Sequence, residues 1–465
     1  MATAGFPRIR VRQAAAPLRE NHTTARPGAV LAAAHRKESL LMLTMAHPGW
    51  TWGVIAVATA AVILRPARVP EAVWAVGGAI VLAVSGLLPW TQAWKGVLRG
   101  HDVYLFLAGM MLLSEMARRE GVFDWLAVEA ARRARGSGER LFAWVFGVGT
   151  LVTATLSNDA TAVVLTPAVI AVARAVGAAP LPYLLICAFV ANAASFLLPI
   201  SNPANLVLWG GGQMPSLPHW LGMFGLPSLA AIGSTYWVLK WRVRRDIDRP
   251  VAAEVPARPL GAGGRLAAAG LAVSAMVLVG CAWWRIPLGA PTLGAALLTL
   301  ALLRAGCGHQ VVPVLKSVSW GVLPLVAGLF VFVQALEVTG VVGLLARMLA
   351  EAAAAAPLAA GPVLGALLGF GANLVNNLPA GLLAGAALEA AHAAEPLRAA
   401  ALIGVDLGPN LSITGSLATL LWLAALRREG IEVSALQFLK FGAWVMPPAL
   451  AAALLVLMGM AAAGL

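Results

Sequence analysis

Charge is what this 465-residue sequence has least of: Asp, Glu, Lys and Arg make up 11% of it, while 60% is hydrophobic. Soluble globular chains carry about 25% charged residues, so a soluble fold is excluded. Cysteine is equally scarce. Cys187, Cys281 and Cys307 stand without CxxC or other ligand spacing, which removes a disulfide framework and a thiolate metal centre. The seven histidines are scattered and never paired at helical spacing, so no metal site is expected. No Walker-type phosphate loop occurs, and Gly210-Gly211-Gly212 opens no strand–helix unit. No cofactor and no catalytic residue is therefore expected. Acidic residues are also few, 20 against 33 Lys and Arg, giving a formal net charge of +13. In a soluble chain that excess would suggest a nucleic-acid partner; here it is first a question of which membrane face holds the arginines.

What the sequence has in abundance is apolar length. With a mean hydropathy of +0.83 and about 20 apolar residues per crossing, the chain accommodates roughly ten transmembrane helices. Runs between charged breaks place them near 49–64, 71–90, 103–117, 182–208, 221–240, 266–284, 288–303, 320–338, 398–426 and 441–463. Two further stretches, 141–176 and 357–391, are too long for one crossing and are interrupted by polar residues, as re-entrant hairpins are. Amphipathic segments from Gly121 to Arg135 and from Gly340 to Ala356 precede them and read as interfacial helices.

The chain repeats itself. Ala108-Gly109, Gly121 and Leu126-Ala127 recur as Ala327-Gly328, Gly340 and Leu345-Ala346, and Glu115 falls opposite Gln334. Ser157-Asn158-Asp159 likewise falls opposite Val375-Asn376-Asn377. Each half holds an odd number of crossings, so the copies run in opposite directions, as inverted repeats do. The expected fold is thus an all-α polytopic membrane protein with about ten transmembrane helices and two re-entrant hairpins in two inverted repeats, with discontinuous helices. Its expected parts are a basic tail, 1–44, a first repeat, 45–240, a cytoplasmic linker, 241–265, and a second repeat, 266–465. With that linker in the cytoplasm, 21 basic residues fall on cytoplasmic segments and five (Lys95, Arg99, Arg285, Arg347 and Arg398) on external ones. The split follows the positive-inside rule. The remaining seven lie in the tail, which resists translocation and lacks a signal-peptide core. Translation from Met42 or Met45 rather than Met1 would remove them.

Four polar interruptions carry the candidate chemistry. Ser157-Asn158-Asp159-Ala160-Thr161 sits at the first hairpin tip, where an ionised side chain costs roughly 2.5–3.5 kcal/mol; helix capping is the plainer reading. In Ser201-Asn202-Pro203-Ala204-Asn205 the proline frees backbone groups beside two amides; a simple kink is the alternative. Asn376-Asn377-Leu378-Pro379, with Asn373 one turn earlier, repeats the pattern at the second tip. Finally, Gly408-Pro409 and Gly415 break the run from Gly404 to Thr419, which offers Asp406, Asn410, Ser412, Thr414 and Ser416 at an expected midplane break. Glu115 and Glu337 lie toward helix ends, as snorkelling residues do.

The stretch Asp406-Leu407-Gly408-Pro409-Asn410 through Thr414-Gly415-Ser416-Leu417-Ala418-Thr419-Leu420-Leu421-Trp422 resembles the signature of the arsenite/antimonite efflux permeases, the ArsB family of the ion transporter superfamily. The tips Asn158-Asp159-Ala160 and Asn376-Asn377-Leu378-Pro379 match its pattern in order, over about residues 45–465. Some members carry Cys and Lys where this chain has Val405 and Asn410, so neither a thiol nor a cation is expected there. The resemblance implies a multi-pass transporter of the cytoplasmic (inner) membrane, not an enzyme. It would export arsenite and antimonite as neutral trihydroxides, coupled to protons or driven by a separate ArsA-type ATPase, with a homodimer left open. Substrate would meet Asn158, Asn202, Asn205, Asn376, Asn377, Thr414 and Ser416, and protons would be carried by Asp159 and Asp406. A sodium-coupled carboxylate carrier or sodium/proton carrier of the same superfamily is the near alternative; an intramembrane enzyme is the distant one.

Overall fold

The computed structural model describes residues 48–209, 214–253, 255–257, 259–308 and 310–463. The tail 1–44, with its start-site expectation, and Gly210-Gly211-Gly212 lie outside them. The described residues form twenty α-helices joined by short turns, with no strand beyond a single bridge between Ser137 and Pro250. Large apolar side chains stand exposed along these helices, among them Val57, Met276, Leu298, Leu367 and Leu455. Water would not tolerate so much exposed apolar surface. Lipid does.

Four helices are long and apolar enough to cross a membrane unaided: Ala262–Trp283, Gly289–Cys307, Pro357–Val375 and Ala435–Ala462. Two bent pairs add to them, Trp90–Arg99 with His101–Arg119 at 46° and Val311–Ser317 with Val322–Val338 at 42°. Exposed tryptophans gather at helix ends. Trp50, Trp90, Trp283, Trp284 and Trp320 stand in the first or last turn of a helix or just outside it, as the residues of an interfacial belt do.

The order of elements from Pro48 to Ile247 recurs from Ala262 to Ala462: two apolar helices, a bent pair, an interfacial helix, an interrupted hairpin, a broken helix and a long terminal helix. Packing explains why Gly109 and Gly328 repeat. A Cβ on Gly109 would meet the backbone of Thr292 at 2.6 Å, and one on Gly328 the backbone of Ala75 at 2.7 Å. Each bent helix therefore lies against the second helix of the opposite half, at a distance only glycine allows. Small residues give apolar helices such close contact where lipid offers no hydrophobic drive.

Some boundaries differ from expectation. The segment expected as one helix over 182–208 is two, Leu181–Ala193 and Pro203–Trp209, around irregular backbone. The helix expected over 221–240 runs from Leu217 to Ile247, because Lys240, Arg242, Arg244 and Arg245 can extend their stems to the interface without ending it. Helix Trp90–Arg99 falls between the helices expected over 71–90 and 103–117; it carries Thr91, Gln92, Lys95 and Arg99 and buries Ala93 and Gly96 on one face.

Candidate functional site

All four interruptions break the helix where the sequence places them. The first limb, Gly138–Thr155, ends at Leu156, and the chain restarts as a π-helical turn, Ala160–Leu165, before Thr166–Ala175. Ser157 Oγ accepts from the Ala160 N–H at 3.1 Å and Asn158 Oδ1 from the Asp159 N–H at 2.9 Å. Capping is thus real at this tip, and Asn158 nevertheless faces a cavity. At the second tip Pro357–Val375 gives way to Asn377–Ala390 through Asn376, held at φ 74°. With ψ at 152° this is a region that glycine favours and a residue with a Cβ enters only under strain. Asn376 Oδ1 accepts from the Leu378 N–H and its Nδ2 donates to Thr414 O, both at 3.3 Å.

The other two interruptions meet each other. Helix Glu395–Leu407 unwinds through Gly408–Asn410 and Ile413–Gly415 before Leu417–Arg428, whose start is capped by Ser416 Oγ accepting from Thr419 N–H at 3.1 Å. Asp406 is fully buried; Ser195 Oγ donates to its Oδ2 at 2.6 Å and Asn202 Nδ2 to its Oδ1 at 2.9 Å. Asn202 Oδ1 in turn accepts from the Ala204 N–H at 3.0 Å, opening the helix that Pro203 begins. Asn205 turns inward, its Nδ2 donating to the carbonyls of Ser195, Leu198 and Pro199, so it secures the irregular loop. Asn373 ties the second tip to this region, donating to Gly408 O at 2.9 Å and accepting from Ser412 Oγ at 2.7 Å.

One cavity gathers Asn158, Asp159, Asn202, Asn376, Asn377, Thr414 and Ser416. Asn205 and Asp406 do not line it; Asp406 reaches it only through Asn202. The opposite wall is apolar, supplied by Leu325, Val326 and Leu329 of helix Val322–Val338. Amides and hydroxyls offer both donors and acceptors, and Asp159 is the one candidate carboxylate among the hairpin-tip residues. Two residues with no expected role in the site, Arg65 in a loop and Glu71 at the start of the helix expected over 71–90, also line this cavity and pair with each other. Their signal was faint: a basic and an acidic residue six positions apart beside a proline.

The same two elements bound a second cavity. Phe330 and Val333 of helix Val322–Val338 and Leu382, Ala386 and Glu389 of helix Asn377–Ala390 face Arg99 and Asp102 there. Arg99 bridges them, with Nη1 3.0 Å from Glu337 Oε2 and Nη2 2.5 Å from Glu389 Oε2. Glu115 is buried, paired with Arg118 and Arg119 at 2.7 Å each, and lines neither cavity. Among the described residues no group of His, Cys, Asp and Glu is arranged to hold a metal ion.

Residues 54–405 match the family model described as citrate transporter. The arsenical pump membrane protein of Yersinia enterocolitica is 30% identical over 338 residues, covering 70% of this chain and 78% of that protein. Its counterpart in Escherichia coli K12 is 28% identical over 380 residues, 77% of this chain and 86% of that one. Among solved structures, the YdaH transporter of Alcanivorax borkumensis superposes with a TM-score of 0.56 at 18% identity, covering 83% and 90% of the two chains, and so shares the fold. The resemblance read from the Asp406–Trp422 stretch is borne out by these relatives. This chain is a multi-pass membrane transporter and belongs to the citrate transporter family, together with the arsenical pump membrane proteins.

Proposed function

We propose that this transporter exports trivalent arsenic and antimony from the cytoplasm as neutral trihydroxides, coupled to inward movement of protons. The observation that carries the reading is the cavity wall of Asn158, Asn202, Asn376, Asn377, Thr414 and Ser416. A trihydroxide both donates and accepts hydrogen bonds and carries no charge, and amides and hydroxyls satisfy both needs. Asp159 in the wall and Asp406 behind Asn202 are the proton carriers, because protonation removes charge and adds a donor at each. The names of the arsenical pump relatives favour this cargo.

The topology belongs to the same proposal. The chain lies in the cytoplasmic membrane with ten crossings in two inverted repeats, 45–240 and 266–465, joined by the cytoplasmic linker 241–265, a reading that the arginine distribution supports. In that arrangement every ion pair between distant segments among the described residues joins ends on one face: Arg174 with Glu429 and Lys240 with Glu139 inside, Arg99 with Glu337 and Glu389, and His219 with Glu395, outside. The first cavity then faces the cytoplasm beside Arg65 and the second the exterior beside Arg99. An ArsA-type ATPase could dock on the basic cytoplasmic segments, adding ATP to the driving force. Arsenite tolerance and cellular arsenic content in a sensitive host test the reading: higher tolerance with lower arsenic content supports it, and unchanged content in cells that make the protein refutes it.

A further inference from the structure

The substrate cavity holds one guanidinium. Arg65 lies in the turn between helices Pro48–Leu64 and Glu71–Val84, and its side chain pairs with the Glu71 carboxylate where both line the cavity that also contains Asn158 and Asp159. The turn is built at a cost. Arg65 has φ 48° and Ala67 φ 54°, both left-handed positions in residues that carry a Cβ, on either side of Pro66. The residue before a proline is pushed out of the right-handed helical region, so the helix must end at Leu64. A glycine would serve such a corner more cheaply. Backbone held in a disfavoured region against easier alternatives points to use of what it positions.

We propose that Arg65 and Glu71 form a charge-cancelled pair that sets the selectivity of the cavity, Arg65 offering hydrogen-bond donors to an uncharged hydroxy compound while Glu71 withholds its positive charge from anions. The proposal rests on the neutral-trihydroxide reading and names the residues that enforce it. A free guanidinium in a cavity of amides and hydroxyls is a fork for two oxygens of an oxyanion, with charge-assisted bonds about twice as strong as neutral ones. With Glu71 beside Nη2, a carboxylate of the protein cancels that charge, while the buried Nε has no hydrogen-bond partner among the described residues and remains a donor. Arg65 also stays away from Asp159, which makes no ion pair among the described residues and so remains available to take up a proton.

The test removes one partner, then both. In everted vesicles at constant ionic strength, sulfate is added to arsenite uptake by the parent protein, Glu71→Gln, Arg65→Gln and the double variant. Glu71→Gln exposes the fork, and sulfate should inhibit its uptake roughly tenfold more strongly than that of the parent. The double variant should return to the sulfate insensitivity of the parent. Arg65→Gln leaves Glu71 alone, and guanidinium ion should inhibit in place of sulfate. In detergent, where both faces are accessible, sulfate should raise the melting temperature of Glu71→Gln and of no other variant; Glu71→Ala serves equally if the glutamine variant fails to fold. Equal sulfate responses in the parent and both Glu71 variants overturn the proposal. Absence of arsenite uptake by the parent counts against the export reading instead, and the melting experiment then still decides the role of the pair.

Discussion

Replacing Asp406 with Asn keeps the shape of the side chain and removes its capacity for charge. In the parent, Asp406 Oδ2 accepts from Ser195 Oγ at 2.6 Å and Oδ1 from Asn202 Nδ2 at 2.9 Å. An asparagine there can keep its oxygen toward Asn202 and turn its amide toward Ser195 Oγ. That hydroxyl can accept, because it already has Asn192 O at 2.8 Å as an acceptor for its own proton. The number of hydrogen bonds is conserved, so stability should fall by no more than about 1 kcal/mol. Asp406→Ala differs. It strands the buried Asn202 amide, about 1–3 kcal/mol, and leaves a void in a fully buried site that adds to the loss. The assay pairs thermal unfolding in detergent with uptake of arsenite into everted vesicles under an imposed pH gradient. Asp406→Asn should melt close to the parent and take up no arsenite in response to the gradient, while Asp406→Ala should lose both stability and uptake. Full gradient-driven uptake by Asp406→Asn would refute the assigned proton role.

Asp159→Asn should likewise abolish gradient-driven uptake in the same vesicles with no loss of folded protein. Gly404→Val should prevent helix Glu395–Leu407 from closing on Pro357–Val375, since any Cβ at Gly404 strikes the Gly365 carbonyl; the yield of monodisperse protein should drop severalfold, the cost of an overpacked contact being about 1–3 kcal/mol. Asn376→Gly accepts φ 74° more readily than asparagine does, so the fold should survive while arsenite uptake falls with the lost amide. Arg99→Gln removes two partly exposed ion pairs worth about 0.2–1 kcal/mol each. External labelling of an Ala386→Cys probe by an impermeant maleimide should quicken roughly two- to thirtyfold, the native cysteines being replaced by serine.

Much of this was readable along the chain because membrane helices obey few rules. Apolar length gave the helices, and prolines, glycines and asparagines marked the breaks at Asn158, Pro203, Asn376 and Gly408, since nothing else interrupts hydrogen bonding at such depth. Gly109 and Gly328 signal duplication by their matching places in the two halves, and both pack against backbone. What stayed hidden depends on contacts between distant residues. Asn192 and Ser195 read as stray polar residues in an apolar run, yet Ser195 binds Asp406 and Asn192 donates to Asn410 Oδ1 at 3.0 Å. Asn205 carries the same amide as Asn202 three positions earlier, but one helical turn sends it to backbone carbonyls instead of the cavity. Arg65 and Glu71 were invisible as a cavity pair because a count of charges by segment does not show which way a turn folds.

The most direct test of the account is arsenite uptake by the purified protein in liposomes with an imposed pH gradient, with neither ATP nor sodium present. The account predicts concentrative uptake that a protonophore abolishes and that antimonite competes for. Sodium-dependent uptake of a carboxylate, with no arsenite movement under the pH gradient, would contradict it.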